Sequence, residues 1–258
     1  LTPGTAQQLQ GVVYRFRGRV IEAVSVDFWN TIAADTTYEQ RRELRRNRVH
    51  DWLAGRGLAG SREETVAMMD AYSQHWHDTW KKEHRTLTAF DAADHILERC
   101  VLQDEGARDS LAQVIDSVLL DLPPEPVEGI NKAIGWLATR FPLALISDTG
   151  LSGGESIDSL LAGWGLLEHF SARVYSEELG VSKPHSRMFL TAAERLNVPY
   201  HRMLHVGDLD ATDIFGAKNL GMAAIRFDGA KLQADCKPCS MADLIVSRWG
   251  EVVESLER

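Results

Sequence analysis

The sequence predicts an α/β protein, a doubly wound parallel sheet interrupted after its first strand by an all-helical insert. Three observations carry that expectation. From residue 127 onward, short apolar runs alternate with segments of helical periodicity, the pattern of parallel strands joined by helices. Residues 36–122, by contrast, contain no proline and no alternation of period two, and they are dense in good helix formers. A nearly continuous apolar run, Ala23–Val26, precedes the insert and stops on Asp27, as a strand buried on both faces does when its end reaches a polar edge.

The elements follow in order. In residues 12–28 (VVYRFRGRVIEAVSVDF) the apolar positions Val13, Tyr14 and Phe16 are cut off by Arg17-Gly18-Arg19, which predicts an extra strand or hairpin arm ahead of the buried strand. Within the insert, four groups fall at helical spacing. They are Leu44/Val49/Trp52/Leu53, Val66/Met69/Ser73/Trp76/Trp80, Ile96/Leu97/Val101 and Leu111/Val114/Ile115/Val118/Leu119. Gly55, Gly57, Gly60 and Gly106 separate them, giving about four helices. Pro123-Pro124-Glu125-Pro126 then reads as a stiff linker. Beyond it the pattern predicts helices over 127–139, 157–163, 187–196, 213–220 and 251–257. Strands are expected at 143–147, 173–176, 203–206, 223–227 and 244–246. The organisation is therefore a core of residues 1–34 with 123–258, and an insert of 35–122.

Composition narrows the function. With 258 residues the chain is long enough for one or two domains and a real core. The balance of 28 Lys+Arg against 37 Asp+Glu leaves a net charge of −9, which gives no global footprint for nucleic acid. No apolar run approaches the roughly 20 residues of a membrane helix, so no membrane partner is expected. The N-terminal LTPGTAQQLQ lacks the features of a secretory signal, and three cysteines cannot pair completely; both point to the cytoplasm. Cys236-Lys237-Pro238-Cys239 has a CxxC spacing, but Cys100 is the only further thiol, too few for a structural zinc.

In an open parallel sheet, ligands bind beyond the carboxyl ends of the strands. Four such ends here carry polar cargo: Asp27-Phe28-Trp29-Asn30-Thr31, Ser147-Asp148-Thr149-Gly150, Gly180-Val181-Ser182-Lys183-Pro184, and Gly207-Asp208-Leu209-Asp210-Ala211-Thr212-Asp213. Carboxylates gathered at one edge repel, so either one binds a proton or a cation sits among them. Hard oxygen donors with room for water suit Mg²⁺, and a carboxylate held beside a lysine can attack phosphorus. The lysine would neutralise charge developing on the phosphoryl oxygens.

These four segments, in this order and spacing, resemble the motifs of the haloacid dehalogenase-like hydrolase superfamily, over residues 24 to about 246. The fourth, HVGDLDATDIFGAKNLGM, together with LGVSKP upstream, carries most of the likeness. The resemblance implies a Rossmann-like core and a helical cap after the first motif. It makes Asp27 the nucleophile, Thr31 its orienting group, Ser147 a holder of a phosphoryl oxygen and Lys183 the phosphate-binding lysine. Asp208 would ligate Mg²⁺ with Asp27 and the Trp29 carbonyl, and Asp213 would be a further ligand or a supporting group. The substrate expected is a small phosphorylated metabolite, because a cap closing over the cleft leaves little room for a polymer. A monomer and a homodimer both remain open.

The chain departs from the family pattern at three positions. Phosphatases of the family carry an acid/base Asp two residues after the nucleophile; here Trp29 stands there, and an indole has no proton to exchange. The acid would then come from Asp148, Asp210, a histidine of the insert or the substrate. Asn30 replaces glycine, and Asn tolerates a left-handed backbone. Asp148 follows Ser147 where relatives often have Asn. Trp29, Asn30, Ser147 and Asp148 are thus candidates for lining the substrate pocket. Arg41, Arg42, Arg45, Arg46 and Arg48 crowd eight positions of the insert. Most of such a run is expected to be a solvated face, with Arg41 and Arg45 the candidates to reach an anionic substrate. Trp52, Trp76 and Trp80 read as insert core. Two rival functions stay open: a metal-independent dehalogenase, which also lacks an acid at this position, and a decayed phosphate-binding protein.

Overall fold

The computed structural model describes residues 12–230 and 240–256. Cys236 and Cys239 lie outside them. β1 (Tyr14–Phe16) and β2 (Arg19–Ile21) form an antiparallel hairpin, turned through Arg17 and Gly18, both at positive φ. β3 (Ala23–Val26) follows, buried at every residue. After β4 (Ala33–Ala34) the chain enters five helices: α1 (Tyr38–Ala54), α2 (Arg62–Glu83), α3 (Ala89–Arg99), α4 (Glu105–Asp116) and α5 (Val118–Asp121). The starts of α2 and α3 are set by reciprocal caps, Ser61 with Glu64 and Thr88 with Asp91, and Asp104 caps α4. The insert has five helices where the sequence suggested about four. The last run breaks at Ser117, whose hydroxyl bonds back to the Val114 carbonyl, and α5 is a single turn beyond it.

The proline-rich stretch does more than link. Its β5 (Glu125–Pro126) pairs antiparallel with β4, and the Val127 N–H donates to the Ile32 carbonyl at 2.8 Å, so the chain leaves the helices stitched beside its point of entry. Then come α6 (Ile130–Ala138), β6 (Leu143–Ser147), α7 (Gly154–Gly163), β7 (Phe170–Tyr175), α8 (Ser176–Leu179) and α9 (Ser186–Leu196). The chain ends with β8 (Met203–Gly207), α10 (Phe215–Asn219), β9 (Ala223–Phe227), β10 (Leu244–Val246) and α11 (Trp249–Glu254). β7 starts three residues earlier than its sequence suggests, because exposed Ser171 interrupts the apolar run of this edge strand. The helix expected at 213–220 is a π-helical turn, Asp210–Ile214, followed by short α10.

Six strands make one sheet in the order β10-β9-β8-β3-β6-β7, parallel at every pairing. The chain winds outward from β3 in both directions, so the strand order reverses there and a crevice opens at its carboxyl end. Alternate residues serve the two faces. Val24, Val26, Leu143, Leu145, Leu204 and Val206 pack with α6, α7 and α11, while Ala23, Ala144, Ile146 and Met203 pack with α9 and α10. Helices α1 to α4 close on a separate cluster that includes Val49, Leu53, Met69, Tyr72, Ile96, Leu111 and Ile115, whereas Leu119 of α5 joins the core beneath the sheet. Among the described residues, no helix is long and apolar enough to cross a membrane.

Candidate active site

β3 hands Asp27 to the crevice: its N–H still bonds the Val206 carbonyl of β8, at 2.9 Å, before the chain turns away. The turn is tight. The Phe28 carbonyl accepts from both Ile32 and Ala33 N–H at 2.9 Å, and Asn30 takes the left-handed conformation (φ 54°) that its side chain tolerates. The turn returns Thr31 to Asp27, whose Oδ2 accepts from the Thr31 hydroxyl at 3.1 Å. Trp249 of α11, fully buried, pins the same turn by donating its indole N–H to the Thr31 carbonyl at 2.9 Å.

Lys183, delivered by the loop between α8 and α9, is the hub. Its ammonium donates to Asp27 Oδ1 at 2.5 Å, to Asp213 Oδ1 at 2.6 Å and to the Ile146 carbonyl at 3.2 Å, which uses all three of its protons. Asp213 also accepts from the Leu209 N–H at 3.1 Å and contacts His205 Nε2 at 3.1 Å; His205 Nδ1 in turn meets Ser25 Oγ at 2.9 Å. Gly207 makes room for this arrangement. A Cβ there would stand 2.4 Å from Asp213 Cγ.

The electrostatics are lopsided. Burial pushes the Asp27 carboxyl up to about 7; Lys183 opposes this, and Asp213 and Asp148 add to it. Burial would also raise Asp213, but Lys183 and His205 outweigh it and hold that carboxyl below the usual range. Burial alone would depress Lys183, and Asp213, Asp27 and Asp148 reverse the effect, so it stays charged. Burial lowers His205, which is therefore a neutral imidazole, able to donate to Asp213 and accept from Ser25. One ammonium thus faces several buried carboxylates.

Asp27, Asp208 and Asp213, all buried, each offer an oxygen within 4.8 Å of the others. Opposite ligands of Mg²⁺ stand about 4.2 Å apart, so this donor set fits a hard divalent cation. Its charge would supply what Lys183 alone does not.

A family model for haloacid dehalogenase-like hydrolases matches residues 21–221. The chain belongs to this family. It is 39% identical over 143 residues, 54% of this chain and 58% of the relative, to haloacid dehalogenase-like hydrolase domain-containing protein 3 of Danio rerio. To the 5-amino-6-(5-phospho-D-ribitylamino)uracil phosphatase YigB of Escherichia coli it is 28% identical over 162 residues, 61% of each chain. The chain therefore spans about three-fifths of the length of these two curated relatives. Its fold is similar to that of a 2-haloacid dehalogenase from Pseudomonas syringae, with a TM-score of 0.67 at 22% identity, over 91% of this chain and 97% of that one.

A cavity of about 540 Å³ lies over Asp27 and Lys183, between the strand ends and helices α1 and α2. Asp27, Trp29, Asn30, Arg41, Arg45, Asp148, Lys183, Asp208 and Asp213 line it. Ser147 does not: it is fully buried, with its hydroxyl 3.4 Å from the Asp148 carbonyl. Asp210 is held by Arg226 and Ser240. Arg41 is engaged by Asp35 and Thr37, with its guanidinium 5.4 Å from the Trp29 ring centroid.

The tryptophans divide. Trp52 belongs to the insert core and donates to Ser110 at 3.0 Å. Trp76 packs against that core and also lines the cavity, where it stacks on Trp80 at 5.9 Å and 9°; Trp80 Nε1 donates to Asp148 Oδ2 at 3.0 Å. Helical spacing alone could not separate a core face from a cleft face. Sequence reasoning also passed over His205, whose signal was a lone imidazole in a fully buried strand, and Trp249, which carried no local signal at all.

Proposed function

We propose that this chain is a Mg²⁺-dependent phosphatase acting on a small phosphorylated metabolite, with Asp27 as the nucleophile. The observation that carries the reading is the Asp27 carboxylate, clamped by Thr31 and Lys183, with oxygens of Asp208 and Asp213 within 4.8 Å. In the first step, an Asp27 oxygen forms a bond to phosphorus while the ester P–O bond breaks and the leaving oxygen takes up a proton. Water then attacks the resulting acyl-phosphate and releases inorganic phosphate, restoring Asp27. Asp27, Asp208, Asp213 and the Trp29 carbonyl would hold Mg²⁺, which when bound offsets phosphoryl charge. Lys183 holds Asp27 in line and neutralises the oxygens it faces.

Trp29 cannot give the leaving group its proton. Asp148 and His77 are titratable groups that line the cavity outside the carboxylate–lysine cluster. Asp148 is the better placed of the two, bonded to the Lys183 N–H at 2.9 Å, and burial raises its carboxyl toward an acid that can donate. Residues 35–122 would act as the cap that excludes water, since Trp80 meets Asp148, and the Ser182 N–H donates to the His84 carbonyl at 2.7 Å.

The test is a panel of phosphorylated metabolites with and without Mg²⁺, with 2-chloropropionate as a separate arm and Asp27→Asn as control. Metal-dependent phosphate release that is lost in Asp27→Asn supports the reading. Chloride release that survives chelation would instead establish a dehalogenase. No turnover of either, with phosphate still bound, would mark a binding protein.

A further inference from the structure

The five arginines of α1 do not have equal standing. Arg41 is paired with Asp35, Arg42 with Glu39 and Asp70, Arg46 with Glu43 and Asp70, and Arg48 with Asp121. Among the described residues, Arg45 has no carboxylate within ion-pair distance. Its Nε donates to the Ile115 carbonyl at 3.0 Å and one terminal nitrogen reaches Ser152 Oγ at 3.5 Å, which uses two of its five N–H donors. It is half-buried and lines the cavity over Asp27. Burial, and then the neighbouring charge of Arg41, pull it down to about 10, so it keeps its charge at neutral pH. A desolvated guanidinium without a counter-ion is costly, and a planar fork with free donors matches a carboxylate or phosphate.

Three rings of α2 in the same cavity lining are apolar in effect, set among the polar Ser73, Gln74 and His77. The Trp76 and Trp80 indole N–H groups are already given to the Leu87 carbonyl and to Asp148, and the Tyr72 hydroxyl to the Thr88 carbonyl, so these rings offer the cavity mainly hydrocarbon.

We propose that Arg45 docks a second anionic group of the substrate, so that the preferred class is a phosphomonoester with a carboxylate or second phosphate at its far end and an apolar spacer between. This rests on the phosphatase reading of the same cavity. Arg45 is then a specificity-determining residue, acting on binding of the remote group and not on the reacting phosphorus.

The experiment is calorimetric titration with non-hydrolysable phosphonates of two-, three- and four-carbon chain, in the presence of Mg²⁺. At each length, an alkylphosphonate is compared with the ω-phosphonocarboxylate and with the α,ω-bisphosphonate. The expected result is that, at one length at least, an added anion tightens binding about tenfold or more, the scale of a charge-assisted hydrogen bond. The carboxylate and bisphosphonate arms say which anion it is. That margin should collapse in Arg45→Gln and be partly kept in Arg45→Lys, with folding of both variants checked by thermal melting. A margin that survives in Arg45→Gln, or no margin at any length while the alkylphosphonates still bind, overturns the proposal. If no phosphonate of any kind binds, the phosphatase reading fails, and this inference with it.

Discussion

Replacing Lys183 by Met removes the one ammonium that two buried carboxylates share. The side chain is only 3% exposed, so water does not fill the gap freely, and the methionine accepts the volume but not the charge. Removing one partner of a buried ion pair costs about 3–5 kcal/mol. The lower end applies here, because Asp27, already pushed up to about 7 with Lys183 present, can escape by binding a proton. A loss of about 3 kcal/mol corresponds to a fall in Tm of roughly 6–12 °C for a chain of this size. The pH dependence has a definite sign. In the variant the folded-state pKa of Asp27 lies above its unfolded value, so the folded form binds the extra proton and stability returns as pH falls through the folded pKa. Differential scanning calorimetry on the metal-free protein should therefore show a large deficit near pH 8 that narrows near pH 5.5, because losing Lys183 raises Asp27 further still and the variant alone holds its proton above neutrality. Added Mg²⁺ should narrow it too. A deficit that is the same at both pH values and indifferent to Mg²⁺ would mean that Lys183 matters through packing, and the electrostatic reasoning would fall.

Four further outcomes follow from the same geometry. Mg²⁺ at a hundredfold excess over its Kd should stabilise the wild type by about 2.7 kcal/mol, and Asp208→Asn should abolish most of that gain in a thermal-shift titration. Mg²⁺ affinity should weaken as pH falls below about 7, because the proton competes for Asp27; titration in buffers of different ionisation enthalpy would reveal the released proton. Asp148→Asn should slow hydrolysis of alkyl phosphates by about 10²–10⁴-fold, yet slow p-nitrophenyl phosphate much less, since that leaving group needs no acid. Trp249→Phe should cost about 1–3 kcal/mol, read by urea unfolding, because it leaves the buried Thr31 carbonyl without its donor.

Much of the fold was legible because β3, β6, β8 and β9 are buried on both faces, and such strands appear in a sequence as nearly continuous apolar runs, interrupted here only by Ser25, His205 and Arg226. Edge strand β7 was half-hidden by exposed Ser171, and the two-residue pairing of β4 with β5 carries no periodicity to read. At the site, Asp27 and Asp208 directly follow β3 and β8, where polar residues after apolar runs announce themselves, while Lys183 on the α8–α9 loop and Asp213 in the π-helical turn were legible through the motifs that hold them. The substrate side was less legible. Arg41 and Arg45 are four residues apart on one helix face, yet Asp35, close in sequence, engages the first, while the second reaches the Ile115 carbonyl far along the chain and, among the described residues, no carboxylate. Trp76 and Trp80 share the spacing of a core stripe, yet both also line the cleft, and Trp80 reaches Asp148 there.

The most direct measurement is rapid acid quench of the enzyme during turnover of p-nitrophenyl phosphate with Mg²⁺, followed by peptide mass spectrometry. The account predicts one added phosphoryl group on the peptide containing Asp27, absent without Mg²⁺ and absent in Asp27→Asn. Phosphate release at an undiminished rate in Asp27→Asn, or a phosphoryl group found on any other residue, would contradict it.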